Sequence, residues 1–346
     1  MAVAMRTGNT TGTCAAAAAK AAALLLCSGK TPKQVEVTLP DASSVLVPVL
    51  TKREDEAALA TVEKDAGDDV DITDGMQIVV RITRSEQKES SFRAGEGIGT
   101  VTKPGLQVPP GEPAINPVPR KMILDALAEI TEEPMVIEIA IPGGREVAQQ
   151  TFNPRLGIEG GLSILGTSGI VRPHCKRAMC EAIRTAFDVA LACGTTAPIL
   201  VPGNIGRNAA LRMFEVPQER VIEVGNDWDF ALEELLRHNF REVQIVGHPG
   251  KLAKLIDENW NTHSANSTTA TPIVEQVAQK VLGRKIGPSE TVEGLFLSVS
   301  REEREKLAEA VATKIEQAVE KKIRDDAQEE IPVTVHLIAM SGESLQ

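Results

Sequence analysis

The chain has 346 residues, of which 42% are hydrophobic and 25% charged, and carries a formal net charge of −11. Its length exceeds one ordinary compact core and suggests two domains; the negative charge argues against non-specific nucleic-acid binding, which needs a basic face to neutralise phosphates. No apolar run reads as the roughly 20 residues of a membrane span, since "AAALLLC" is flanked by Lys20 and Lys30, and the Gly- and Thr-rich lead-in does not read as a signal peptide; a cytoplasmic protein without a membrane partner is expected.

The first feature in chain order is "MRTGNTTGTC", from Met5 to Cys14, directly in front of "AAAAAKAAALLL". The alanine run predicts a helix over 15–27, closed by Ser28 and Gly29. Thr11 or Thr13 can cap it, but one such residue suffices for a cap. The density of Gly and Thr over 7–13, with Arg6 beside it and Thr10 within it, reads as a helix N-terminus open to a carboxylate. Strands are expected at "QVEVTLP", "SVLVPVL" and "MQIVVRIT". A long segment rich in Gly and Pro runs from Arg84 to Pro119, and a helix over 119–130 and a strand "MVIEIAIP" follow it.

After about Phe152 strands and helices alternate. "LSILG" precedes a helix over 173–193, "PILVPG" one over 204–214, "RVIEVG" one over 228–238 and "EVQIVG" one over 251–260. Further helices near 273–282 and 301–325 and a closing strand "PVTVHLIAM" complete the chain. The pattern predicts an α+β first domain over 1–150 joined to an α/β second domain over 151–346 with a mainly parallel sheet.

Four of these strands end in glycine-bearing turns. They are "LGTSGI" (Gly166, Thr167, Ser168, Gly169), "VPGNIGRN" (Gly203, Asn204, Gly206), "VGND" (Gly225) and "VGHPGKL" (Gly247, Gly250). Ligands of parallel α/β sheets bind outside the carboxyl ends of the strands, so four such turns together favour a ligand crevice over simple chain reversal. Glu223 and Asp227 bracket the end of "VIEVGND", where a carboxylate can accept hydrogen bonds from a ribose diol; helix capping is an equal use for Asp227. His248, with Lys251 close behind it, could exchange a proton near neutral pH or be a structural hydrogen-bonding residue, and His263 poses the same choice. No P-loop string is present, and "GEGIGT" over 95–100 runs into "VTKPGLQVPP" instead of a helix, so it is not a dinucleotide turn. Five cysteines, Cys14, Cys27, Cys175, Cys180 and Cys193, form no C-x-x-C pair; reduced thiols and no protein-bound metal are expected.

Several long strings occur in one order: "RTGNTTGTCAAAAAKAA", "GEGIGTVTKPGLQ", "GEPAINPVPRKMI", "IPGGREVAQQTFNPRLGIEGGLSILGTSGIV", "LVPGNIGR", "GHPGKLAKL" and "NTHS". Together, from about Arg6 to Ser264, they resemble the CbiD family, the cobalt-precorrin-5B C-1 methyltransferases of anaerobic cobalamin biosynthesis. Asn9 departs from the family pattern, which has an aromatic there, as do "VIEVGNDWDFALEEL" and the residues after "NTHS". The resemblance implies transfer of a methyl group from S-adenosylmethionine to a small-molecule corrin precursor that brings its own cobalt. It marks Arg6, Thr10, Thr11, Thr13, Lys103 and Arg120 as candidate contacts to the acceptor's carboxylates, with Lys121 better read as a surface charge. The donor is then expected over Gly166–Gly169, Gly203–Gly206 and Gly247–Lys251, with its ribose on Glu223 or Asp227, and His248 is the candidate base. Two rival readings stand beside it. A nicotinamide-dependent oxidoreductase requires a helix-opening G-x-G-x-x-G that the chain lacks, and a non-catalytic tetrapyrrole-binding protein would show no affinity for S-adenosylhomocysteine. The oligomeric state is not legible in the sequence.

Overall fold

The computed structural model describes residues 5–173, 176–287 and 289–346. The chain divides into two compact units, Met1–Ala178 and Met179–Gln346. Residues 151–171, expected in the second domain, belong to the first unit. Cys175 and the start of the helix expected from 173 lie outside the described residues.

The first unit opens with a two-residue strand, β1 (Gly8–Asn9), and the helix α1 (Thr11–Ser28). Alanine is the strongest helix former, and both ends of α1 are specified. Thr10 is the N-cap, and Gly29, at φ 68°, supplies the left-handed residue past the C-terminus, where its N–H donates to the Leu25 carbonyl. Next come the hairpin β2 (Gln34–Thr38) and β3 (Ser44–Pro48), then β4 (Leu50–Glu54), β5 (Ala57–Glu63), β6 (Gln77–Arg84), β7 (Ser91–Ala94) and β8 (Thr100–Val101). The unit continues through α2 (Pro117–Ala128), β9 (Met135–Ala140), α3 (Gly144–Ala148), β10 (Ile158–Glu159) and β11 (Ile170–Val171). A five-stranded sheet has the order β4-β5-β6-β9-β7, antiparallel except where β7 runs parallel to β9.

This sheet and α2 cover α1, whose alanines from Ala15 to Ala19 and Ala21 to Ala23 are fully buried. By length and composition α1 is apolar enough to cross a membrane, which the shorter run "AAALLLC" understated; 78% of it is buried inside the unit. Its small side chains set the packing partner. Strand β5 was not expected from the sequence, because "AALATVE" lacks the β-branched alternation that marks a strand, yet its buried residues Ala58, Ala60 and Val62 share one core with the alanines of α1.

Helix α4 (Lys176–Ala192) begins in the last residues of the first unit, and the second unit continues with β12 (Ile199–Val201), α5 (Asn204–Phe214), β13 (Val221–Glu223), α6 (Trp228–Arg237), β14 (Val243–Gly247) and α7 (Pro249–Leu252). It ends with α8 (Thr271–Leu282), α9 (Val292–Leu297), α10 (Arg301–Ala327) and β15 (Val333–Leu337). Its sheet is wholly parallel, in the order β13-β12-β14-β15. Three of the four expected strand–helix repeats build it. The first, "LSILG", forms only isolated bridges from Leu162 to Ile98 and from Ile164 to Ile115 within the first unit. Helix α10 begins in a capping box made by Ser300 and Glu303. It buries Leu307, Val311, Ile315, Val319 and Ile323, spaced for one helical face, and lies against β15.

Because α1 and β5 meet through small side chains, Ala60→Leu should overpack their interface. An expected loss of about 1–3 kcal/mol would appear as a lower urea midpoint followed by circular dichroism.

Candidate functional site

The hydroxyls in front of α1 are engaged by the chain itself. Thr10 Oγ1 accepts from the Thr13 N–H at 3.2 Å, Thr13 Oγ1 donates to the Gly169 carbonyl at 2.6 Å, and Thr11 Oγ1 accepts from the Leu165 N–H at 2.9 Å and faces the Leu165 carbonyl at 3.2 Å. The Gly12 N–H donates to the Leu165 carbonyl and the Thr10 N–H to the Gly169 carbonyl, both at 3.1 Å. All three threonines are buried. In place of the open anion site expected there, the structure has a suture between the start of α1 and residues 163–170. Gly166 and Gly169 belong to the same device. Both have positive φ, and a Cβ would lie 2.6 Å from the Thr10 side chain at Gly166 and 2.7 Å from Leu39 at Gly169. Thr167 and Ser168 are exposed, and Ser168 Oγ donates to the Ile170 carbonyl at 3.0 Å.

The basic residues expected to hold carboxylates are placed as follows. Arg6 pairs with Asp65, and its backbone N–H donates to Asp68 at 2.6 Å. Arg120 ties down residues 112–115, donating to the Ile115 carbonyl at 2.8 Å and to the Pro113 carbonyl and Glu112 at 3.2 Å, with its guanidinium 5.2 Å from the Phe92 ring centroid. Lys103 is half-buried, and its stem crosses Gly157, where a Cβ would meet Lys103 Cγ at 2.4 Å.

The first unit also holds a cleft of about 490 Å³ that the sequence reading did not single out. Residues 94–98 form one wall, and Arg145, Glu146 and Glu159 complete its charged lining with Glu96. Behind Gly97 of this wall backbone packs on backbone. A Cβ at Gly97 would lie 2.0 Å from the Ile141 carbonyl oxygen, and one at Gly144 or Gly161 would lie 2.5 or 2.2 Å from that of Gly97. Among the described residues Arg145 has no ion-pair partner. The available signal was that "GEGIGT", "IPGGRE" and "GIEGG" all sit in the strings that carry the family resemblance. Read by itself, "GEGIGT" poses only the question of a nucleotide turn.

In the second unit the strand order places a topological switch between β12 and β14, because the chain leaves β12 for β13 on one side and then returns to β14 on the other. Such a switch is where open parallel sheets bind ligands. At the end of β12, Gly203 heads α5 in open space, since a Cβ there would meet nothing within 4 Å; Asn204 beside it is exposed. Gly206 is a packing residue, where a Cβ would lie 2.8 Å from the Val246 carbonyl oxygen. Glu223, the last residue of β13, lies 3.5 Å from Arg207. Asp227 heads α6, and residues 260–262 run beside it. The Trp228 N–H donates to the Trp260 carbonyl at 2.9 Å, and the Thr262 N–H donates to the Asn226 carbonyl at 3.0 Å.

At the end of β14, Gly247 packs on Pro202, and His248 caps α7 by accepting from the Gly250 N–H on Nδ1 at 3.0 Å. That leaves the ring proton on Nε2, which donates to Glu293 at 2.8 Å. Both nitrogens are therefore occupied within the protein, which suits a positioning role better than the base expected from the sequence. Lys251 is different. It is exposed, yet desolvation, followed by the like charge of Lys254, brings its ammonium below the usual lysine range. Cys14, by contrast, is sealed in the first core, and burial pushes its thiol up to about 12.

A family model described as CbiD matches residues 1–173. The cobalt-precorrin-5B C(1)-methyltransferase of Syntrophotalea carbinolica is 44% identical over 98% of this chain and 95% of its own length. That of Ralstonia nicotianae is 40% identical over 99% and 93%, and that of Methanocaldococcus jannaschii 44% identical over 74% and 72%. Among solved structures, the crystal structure of cobalamin biosynthesis protein (cbiD) from Archaeoglobus fulgidus matches 71% of this chain and 78% of its own at 30% identity, with a TM-score of 0.41.

The hydrogen bonds of His248 predict the effect of removing it. His248→Ala should cost the second unit about 1 kcal/mol through loss of the cap, read as a lower melting temperature.

Proposed function

The chain belongs to the CbiD family, and on that premise we propose that it methylates carbon C-1 of cobalt-precorrin-5B, giving cobalt-precorrin-6A, with S-adenosylmethionine as the methyl donor. The observation that carries this reading is identity of 44% sustained over 98% of the chain to a relative of that name.

The donor supplies a methyl group on a sulfonium, whose sulfur departs as a neutral thioether that needs no protonation. The protein's task is then orientation and exclusion of water, which can supply on the order of 7–11 kcal/mol. The strand ends of the second unit suit an adenosyl ligand. Gly203 leaves space for close approach to the backbone, and Glu223 stands at the end of the neighbouring strand, where it can accept a ribose hydroxyl. Of the other candidate donor contacts, Asn204 and Asp227 border this crevice, whereas Gly206, Gly247 and Gly250 shape it through packing. The Gly166–Gly169 turn is better assigned to the suture at α1.

For the acceptor, the cleft of the first unit is the favoured contact. Arg145 can pair in bidentate fashion with one peripheral carboxylate, and Lys103 remains a candidate for another. The three glutamates of the lining would repel further carboxylates, so the cleft takes an edge of the macrocycle. Those glutamates have a second use. Methylation of a neutral carbon leaves the product one positive charge richer until a proton departs, and a carboxylate in this cleft is better exposed to receive it than His248, whose nitrogens are both bonded.

Incubation with cobalt-precorrin-5B and methyl-labelled S-adenosylmethionine should place the label at C-1. Label at another carbon would overturn the regiochemistry, and no transfer would overturn the reaction. Gly203→Val should keep the melting temperature, because the Cβ position is empty. It should weaken S-adenosylhomocysteine binding about tenfold or more, equivalent to about 1.4 kcal/mol, measured by calorimetric titration.

A further inference from the structure

We infer that Lys251 and Lys254 form a carboxylate subsite at the end of β14, and that its occupant is the amino-acid carboxylate of the methyl donor. The inference rests on the donor reading above and adds the group that fixes the far end of that ligand.

Lys254 is 7% exposed, and its ammonium donates to the Thr262 carbonyl at 3.0 Å and to Ser267 Oγ at 2.9 Å. An ammonium has three protons, so one is left without a protein acceptor among the described residues. Neither partner carries a charge. Buried charges are ordinarily paired, because leaving water without a counter-charge is costly. Lys251 stands one helical turn earlier and has no ion pair among the described residues, and the two like charges are close enough to disfavour one another. An uncompensated pair of this kind stands out in a chain of net charge −11. It lacks an anion.

The location argues for the donor as its source. Strands β13 and β14 flank β12 on either side, so the end of β13, which carries Glu223, and the end of β14, four residues before Lys251, are two strand spacings apart, roughly 10 Å. One ligand with a diol at one end and a carboxylate at the other bridges Glu223 and the lysines across the switch point. A macrocycle with carboxylates around its rim would need basic groups on several sides. Lys254 also anchors residues 262–267 through its two hydrogen bonds, so anion binding and the position of that segment are coupled through one ammonium.

The test compares S-adenosylhomocysteine with its decarboxylated analogue, S-adenosyl-3-thiopropylamine, by calorimetric titration of the full chain. The wild type should bind the carboxylate-bearing ligand about tenfold tighter. Lys251→Gln should remove most of that preference while leaving the analogue's affinity unchanged. Lys254→Met should do the same, with intrinsic fluorescence as the control for folding, because the chain's only two tryptophans, Trp228 and Trp260, adjoin the anchored segment. Equal wild-type affinity for the two ligands would overturn the proposal. So would a Lys251→Gln loss shared equally by both, or one confined to the corrin acceptor. Failure of both ligands to bind the wild type, with and without acceptor, would instead overturn the donor reading beneath it.

Discussion

An apolar helix of 18 residues, 78% of it buried, needs cover from the rest of its chain, and the first unit is organised by that need. Its alanines bring neighbouring backbones close, which favours a partner strand of equally small residues and leaves little room for correction by larger side chains. The end of the helix poses the harder problem, because its first N–H groups have no partner within the helix. The Thr10 hydroxyl and the carbonyls of Leu165 and Gly169 accept from the N–H groups of Thr13, Gly12 and Thr10, the hydroxyls of Thr11 and Thr13 bond back to Leu165 and Gly169, and Gly166 and Gly169 permit the approach. The dense Gly and Thr of the opening stretch thus has a structural cause. It joins residues 7–13 to a segment more than 150 positions later.

That distant join explains what the sequence could and could not disclose. The C-terminal end of α1, the strand–helix repeats from Ile199 to Arg237 and the amphipathic face of α10 are local in origin, set by propensity, caps and periodicity, and they stand close to where they were expected. By contrast, α1 begins at Thr11 with Thr10 as its cap, and the helix expected over 251–260 is the short α7 followed by a 3-10 turn over 253–257. Strand β5 escaped because its small residues answer to α1 and not to strand propensity. "LSILG" misled for the converse reason. It has the apolar texture of a buried strand, but its hydrogen bonds go to the glycine-rich and proline-rich segments of the first unit, a choice that local sequence does not encode. The domain cut followed the same error and fell short of Ala178.

The candidate site was legible in a similar proportion. Turns at the ends of β12, β13 and β14 were visible as glycines after apolar runs, and their significance depends on strand order, which the run of elements leaves open. Charges were read less well. Arg6 and Arg120 looked available for a ligand, whereas each satisfies carboxylates or carbonyls of its own unit. Arg145 and Lys254, by contrast, carry no mark in the sequence, the one inside a glycine-rich string and the other inside a stretch with helical character. A basic residue becomes informative only when its partners are known, and a sequence does not show which partners are missing.

The two units also differ in why their sequences are distinctive. In the first, Gly97, Gly144 and Gly161 meet backbone to backbone at distances that a single added carbon would violate, and Gly166 and Gly169 face side chains in the same way. Every such contact admits no side chain at these positions, so glycine-dense strings are the expected form of this unit's sequence. The matching family model indeed spans residues 1–173, close to the extent of that unit. In the second unit a parallel sheet with a switch point provides the crevice through topology, and topology tolerates many sequences. Ligand contacts there reduce to a few positions such as Gly203, Glu223 and the two lysines. Divergence in "VIEVGNDWDFALEEL" is therefore compatible with retained chemistry, provided that the carboxylate at the end of β13 and the charges after β14 stay in place.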